Sequence, residues 1–438
     1  MNRQKKLLLT AVLLVLGLLL CGCIAVSQAE AVGKHPAAAE TEAAQLPEDE
    51  APEPATEPSP VPVATPEPIP ELEFPDGTVH KTPERRLTLA ELEHEDLETI
   101  ISLLKQMPKL RAVNLGKERT EEEPRDLGWD DIRKLQTTFP DVDFRYEFTL
   151  FGKQFTTLDE EMNFHHVTMD DEGAAVREVL PCMTKCKLLD MDFSGVSSRN
   201  MAKIRDAYPE MKVVWRIWFG TDCSVRTDVE RILASNLNHK LSDENTEDLK
   251  YCTKVRFLDI GHNTMLKDFS FLEYMPDLEV AILCITGLED LTPISGCTKM
   301  EYLEINTLYD GQGLDLSPLG SLINLEHLDL CRLGAVQGWE ALMNLTKLKR
   351  LWIGCNTWLP DGAREMLEEA LPDTEINWTD NGGADGPWRM TKNYNGYNER
   401  YLLLRRQFEY SDYTNVCSSW YNDPLYFKEG EPHYHPYH

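Results

Sequence analysis

The run Val255-Arg-Phe-Leu258-Asp-Ile260 is apolar at its first, fourth and sixth positions, and the chain repeats that pattern four more times. Leu278-Glu-Val-Ala281-Ile-Leu283, Met300-Glu-Tyr-Leu303-Glu-Ile305, Leu325-Glu-His-Leu328-Asp-Leu330 and Leu348-Lys-Arg-Leu351-Trp-Ile353 follow at intervals of 23, 22, 25 and 23 residues. The residues between them keep phase as well. Nine before the later starts stand Phe269, Leu291, Leu316 and Trp339; six before, Leu272, Ile294, Leu319 and Leu342; three before, Met275, Cys297, Leu322 and Leu345. One such unit cannot enclose its apolar side chains, whereas stacked units bury them against one another. Each unit therefore supplies a short strand to a parallel sheet and a looser, short-helical return. Positions 1, 4 and 6 face inward. Positions 3 and 5 face out, because side chains alternate along a strand.

This pattern resembles the leucine-rich repeat family, particularly the short bacterial form of surface-bound, internalin-like proteins. Leu291-Thr-Pro-Ile294 and Leu316-Ser-Pro-Leu319 match the turns of that subtype. The resemblance implies an α/β solenoid with a curved parallel sheet and a non-catalytic, interacting role. It also places Asn263 and Asn356 at the family's asparagine position, where the side-chain amide bonds backbone inside the coil. Thr286, Leu308 and Leu333 depart from the pattern in the middle three units, so those turns need other backbone partners.

Upstream, Met107-Pro-Lys-Leu110-Arg-Ala-Val113-Asn-Leu115 and Met183-Thr-Lys-Cys186-Lys-Leu-Leu189-Asp-Met191 fit the same strand template, each followed by a helical stretch and a second strand. Ile132–Leu135 leads into Phe139-Pro-Asp-Val-Asp-Phe144, Met201–Ile204 into Tyr208-Pro-Glu-Met-Lys-Val213, and Arg364–Leu367 into Leu371-Pro-Asp-Thr-Glu-Ile376. The proline in each ends the helix. Phe151-Gly152 and Phe219-Gly220 mark hairpin-like excursions. The expected order is a divergent, more helical region over 80–250, regular repeats over 251–378, and a C-terminal cap over 379–438. The cap begins at the turn-rich Asn381–Gly386 and carries Trp388, Tyr394, Tyr397, Tyr401, Phe408, Tyr410, Tyr413 and Trp420. The alternative for these aromatics is a surface that binds cell-wall glycan or other carbohydrate.

At the other end, Arg3, Lys5 and Lys6 precede an apolar run, Leu7 to Leu20, too short to span a bilayer. Leu20-Cys-Gly-Cys23 resembles the lipobox of bacterial lipoproteins, which implies a signal peptide over 1–22 and lipidation of Cys23. The protein would then be extracytoplasmic, anchored to the outer face of the cytoplasmic membrane. Residues 23–79 are rich in Ala, Glu and Pro, as in Glu50-Ala-Pro-Glu-Pro54. Proline removes donors and like charges repel, so this stretch reads as a disordered linker that holds the folded part away from the membrane.

The 438 residues carry a formal net charge of −30. Such a chain repels nucleic acid, and its folded body repels anionic lipid, so membrane contact passes through the N-terminal lipid alone. Nine of the eleven cysteines would remain beyond the lipid-bearing Cys23. Cys252 and Cys297 lie two units apart, as do Cys284 and Cys331, beyond the ~7 Å that a disulfide tolerates. The framework is therefore hydrophobic stacking. No phosphate loop, nucleophile elbow, dinucleotide fingerprint or paired metal-ligand motif is present, so neither catalysis nor a cofactor or metal is expected. His433, His435 and His438 read as a polar terminus, and His165 and His166, if in a strand, face opposite ways. The outward sheet positions remain. Position 3 reads Phe257, Val280, Tyr302, His327 and Arg350; position 5 reads Asp259, Ile282, Glu304, Asp329 and Trp352, with Asn114 and Asp190 at position 5 upstream. Aromatics mixed with carboxylates are the composition of a binding face, here for a protein or peptide of basic character. The competing reading is a set of cross-strand pairs that only stabilise the sheet.

Overall fold

A computed structural model describes residues 68–118, 127–235, 240–308, 313–354, 356–379 and 388. The signal peptide, Cys23, the linker up to residue 67 and the C-terminal segment other than Thr379 and Trp388 lie outside the described residues.

Each regular unit contributes a three-residue strand. Phe257–Asp259, Val280–Ile282, Tyr302–Glu304, His327–Asp329 and Arg350–Trp352 pair in parallel and in register. Arg231–Leu233 and Glu375–Asn377 extend the sheet to seven strands. The register sets Leu258, Ala281, Leu303, Leu328 and Leu351 side by side, and all five are buried in the main core. The chain returns through 3-10 turns at Ser270–Tyr274, Thr292–Gly296, Ser317–Ser321 and Trp339–Asn344. These turns aim Leu272, Ile294, Leu319 and Leu342 at the same core. A 3-10 turn rises ~2.0 Å per residue against ~1.5 Å for an α-helix, so it closes the shorter units with fewer residues.

The upstream units are longer and use α-helices on the return side. Arg86–Thr88, Ala112–Lys117 and Asp143–Leu150 form one parallel set; Glu161–Asn163, Leu188–Asp190 and Lys212–Val214 form a second. Helices Leu97–Leu104 and Trp129–Thr138 back the first set, and Ala174–Val179 and Ser198–Ala207 the second. A fifth helix, Ala363–Ala370, precedes the last strand of the seven. Phe139, Tyr208 and Leu371 cap three of these helices, each followed by proline. One apolar core runs from Phe74 to Leu371 through all three sets.

Hairpins join the sets. Asp143–Leu150 turns back on Lys153–Thr156 through Phe151 and Gly152, both left-handed (φ 48° and 74°), as a two-residue hairpin turn requires. Arg216–Phe219 pairs with Cys223–Arg226 around Gly220. A third hairpin, Glu71–Glu73 with Val79–Lys81, begins inside the stretch read as linker and runs two residues past its end. Folded chain thus begins before residue 79. Phe74 reaches the core, and Asp76 accepts hydrogen bonds from the Thr78 amide (2.9 Å) and hydroxyl (2.6 Å), which tightens the turn.

In the first four regular units the chain leaves its strand through a left-handed residue three positions on: His262, Ile285, Thr307 and Arg332, with φ of 61°, 55°, 54° and 58°. The next residue turns inward. The Asn263 amide donates to the carbonyls of Ala234, Ile260 and Gly261 at 2.9–3.0 Å, and its oxygen accepts from the Leu241 amide. Asn356, expected to match it, does not. It is itself left-handed (φ 68°) and exposed, which moves the inward place one residue along. There the Thr357 hydroxyl donates to the Leu330 carbonyl and accepts from the Leu333 amide. Thr286 substitutes more simply, donating to the Leu283 carbonyl at 2.8 Å. Where leucine stands at 308 and 333, the backbone is paired by a second, three-stranded parallel sheet of Leu314–Asp315, Gly334–Gln337 and Thr357–Trp358.

Removing the Asn263 amide strands several buried backbone groups at once. Asn263→Ala is expected to lower unfolding stability by about 3 kcal/mol, and Asn356→Ala by less than about 0.5 kcal/mol, as measured by urea denaturation. Equal effects would contradict the reassignment of the inward place to Thr357.

Candidate functional site

The sheet alternates as the strand period requires, and its two sides differ in chemistry. The middle residue of each strand enters the main core, so the flanking residues form two rows on the other side. One row is Phe257, Val280, Tyr302, His327 and Arg350; the other is Asp259, Ile282, Glu304, Asp329 and Trp352. All ten expected site residues are therefore brought together. They are not, however, open to solvent. Nine are buried, with Glu304 and Asp329 at 0% exposure and His327, the least covered, at 4%; Arg350 is half-buried. The expectation of an exposed face is corrected to that of a covered one.

Among the described residues, the cover includes one from outside the repeats. Trp388, 2% exposed, belongs to a second apolar cluster with Leu233, Phe257, Val280, Ile282, Tyr302 and Trp352, separate from the leucine core. Its ring lies 5.6 Å from that of Tyr302, 5.7 Å from Trp352 and 6.2 Å from His327, centroid to centroid. Its indole N–H donates to Glu304 Oε1 at 2.9 Å. The Arg350 guanidinium stands 5.3 Å above the same ring and donates from Nη1 to the Trp388 carbonyl at 3.2 Å. Glu304 also accepts from the Tyr302 hydroxyl, so one carboxylate holds the pocket wall and its occupant together.

Glu304 and Asp329 are paired across neighbouring strands. Burial, reinforced by the nearby Glu304 charge, pushes the Asp329 carboxyl up to about 7, against the opposing hydrogen bonds of the Cys331 amide (3.1 Å) and the Asn306 amide (2.8 Å). The covered face therefore carries less negative charge at neutral pH than its composition suggests.

The upstream carboxylates have a different fate. Asp190 accepts from Arg226 at 2.9 Å, and Asp192 binds Arg216 through two parallel contacts of 2.8 and 2.9 Å, all four side chains being buried. Burial raises Asp228, but hydrogen bonds from Arg226 and Lys212 outweigh it and hold that carboxyl below its usual range. Phe193, left-handed at φ 57°, lies 4.2 Å beneath the Arg216 guanidinium. Asp190 is thus a structural ion-pair member, and Asn114 is half-buried with its oxygen on the Gly116 amide. His165 and His166 sit in a turn beyond their strand, with rings 4.1 Å apart, and so do not face opposite ways.

Seven cysteines are described, and no disulfide joins any two of them. Burial pushes Cys182 up to about 11 and Cys297 up to about 12, so neither is a nucleophile near neutrality. Among the described residues, no three His, Cys, Asp or Glu side chains converge as a metal site, and no helix is long and apolar enough to cross a membrane. Two features escaped the sequence reading: the paired arginines of the second hairpin, and the return of Trp388 onto the sheet. The first had a signal in Arg216 and Arg226, which share a hairpin register with alternation that points them to one side. The second had none, because nothing in the local sequence says where a tryptophan beyond the last repeat will land.

No protein-family profile and no curated protein sequence matches this chain. Among solved structures it is similar to an internalin C2 of Listeria monocytogenes, at 16% identity and a TM-score of 0.25 over 50% of this chain and 71% of that one. A second internalin of the same bacterium gives 15% and 0.29 over 69% and 77% of the two chains. A leucine-rich repeat protein of Leptospira interrogans gives 13% and 0.28 over 63% and 74%. These neighbours are bacterial leucine-rich repeat proteins. The fold of this chain is of leucine-rich repeat type on its own geometry, with phased leucines under an in-register parallel sheet.

Because the folded-state carboxyl of Asp329 lies above its unfolded value of ~3.9, the native state holds that proton more tightly, and stability falls as pH rises between the two values. The wild type is expected to be more stable at pH 5 than at pH 8 by on the order of 2–3 kcal/mol from this group, and Asp329→Asn to remove that difference, as read by chemical denaturation at both pH values.

Proposed function

We propose that the protein is a non-catalytic, lipid-anchored scaffold on the outer face of a bacterial cytoplasmic membrane, and that it binds a protein or peptide partner through the side-chain rows of its seven-stranded sheet. The single observation that carries this reading is Trp388. A side chain from outside the repeats lies on that face, held by ring contacts, a carboxylate and a guanidinium. The same groups suit an aromatic side chain presented by another chain, since buried aromatic anchors and arginines dominate protein interfaces. The net charge of −30 favours a basic partner by steering its approach. The lipobox-like Leu20-Cys-Gly-Cys23 supports the anchor, and the proline-rich stretch after it supports display at a distance from the bilayer. The rival reading, glycan binding by C-terminal aromatics, gains nothing from Trp388, which is buried rather than offered as a stacking platform.

Two measurements test this. Full-length protein carrying a photo-crosslinking amino acid at Glu375, exposed and paired with Arg350 in the same row, is expected to yield a discrete protein adduct on intact cells, whereas the same group at the exposed Met265 yields none. Adducts at neither position, together with co-sedimentation on purified wall glycan, would favour the rival. Palmitate labelling is expected in the wild type and absent in Cys23→Ala, which should appear in the medium; equal labelling would remove the anchor.

A further inference from the structure

We propose that the pocket walled by Tyr302, His327, Arg350 and Trp352 is a recognition site for a tryptophan presented by a partner protein, and that Trp388 occupies it in cis until that tryptophan displaces it. This rests on the reading of the sheet face as the binding surface, and it specifies the ligand.

The contacts to Trp388 amount to a description of the ligand. Three rings, those of Tyr302, Trp352 and His327, surround one aromatic side chain at centroid distances of 5.6–6.2 Å. Glu304 takes the indole N–H at 2.9 Å, a bond that phenylalanine cannot make. Arg350 binds the backbone carbonyl of the same residue, so the site reads a tryptophan within a peptide rather than free indole. None of this is needed to stack the repeats. Trp388 stands 84 residues from Glu304 in sequence and takes no part in the leucine core. A group held in cis competes at millimolar effective concentration, so a ligand from outside sees an affinity reduced by the small fraction of open sites. The arrangement keeps the aromatic site covered in the absence of a partner.

The experiment uses the full chain in detergent and a fluorescently labelled peptide of its own sequence, Gly386-Pro-Trp-Arg-Met-Thr391, with anisotropy as the readout. Trp388→Ala is expected to bind this peptide saturably and at least tenfold more tightly than the wild type. A peptide with phenylalanine in place of the tryptophan should bind at least tenfold more weakly. Should circular dichroism show Trp388→Ala unfolded, Trp388→Phe carries the test. It keeps a ring in the pocket but loses the bond to Glu304, so it should admit the tryptophan peptide more readily than the wild type does. Equal affinity across the folded chains, or no preference for tryptophan over phenylalanine, overturns the proposal. So does a wild-type dimer that the peptide dissolves, which would give the pocket to Trp388 of a second copy. A protein adduct at Glu375 without peptide binding sinks the tryptophan assignment and spares the broader reading; loss of both sinks both.

Discussion

The structure depends on the lateral stacking of leucines from turn to turn. No strand in the seven-stranded sheet exceeds three residues, and a strand that short has no independent stability. What holds the strands in register is the column beneath them. Leu258, Ala281, Leu303, Leu328 and Leu351 fill one line, and Met275, Cys297, Leu322 and Leu345 another, all fully buried. Each turn covers the apolar edge of its neighbour, so burial and register reinforce each other. A slip of one residue would exchange the core row for the row carrying Asp259, Glu304 and Asp329.

That constraint explains where the backbone departs from regularity. The turns must close in about the same height, whether they contain 22 residues or more, and local chemistry adjusts to fit. Asn263 closes one turn with its amide, Thr357 another with its hydroxyl, and a second small sheet closes the turns where leucine stands instead. Gly338 shows how little room remains. It is left-handed (φ +61°), and a Cβ there would fall 2.8 Å from the Ser317 backbone nitrogen of the preceding turn. The longer upstream units resolve the same demand with α-helices and pass the chain on through hairpins.

Coverage of both sheet faces gives the molecule its chemical character. Parallel sheets are ordinarily buried on both sides, and this one is, by the leucine core below and by an aromatic cluster above. Putting carboxylates into the upper layer has two outcomes along the chain. At Asp190 and Asp192 each carboxylate meets a buried arginine in an ion pair. At Asp329 the neighbour is another carboxylate, and burial together with that charge pushes the carboxyl up to about 7. Position 5 of the repeat thus meets an arginine at Asp190 and a second carboxylate at Asp329.

The repeat, its phase, the inward leucines and the common side of positions 3 and 5 were legible in the sequence, because burial imposes a period that residue types must follow. The helix ends at Phe139, Tyr208 and Leu371 were legible for the same local reason, proline. The first strand of each set was not: Arg86–Thr88, Glu161–Asn163 and Arg231–Leu233 are no shorter than the others of the seven-stranded sheet, but no earlier unit of their own set stands before them to fix a phase. Nor was the displacement of Asn356, since one extra residue in a turn changes nothing that composition records. Whether the outward rows meet water was beyond local reasoning altogether. Their sidedness follows from the strand, but their cover includes Trp388, whose place is set by contacts with residues far away in the chain, and only the folded structure contains those.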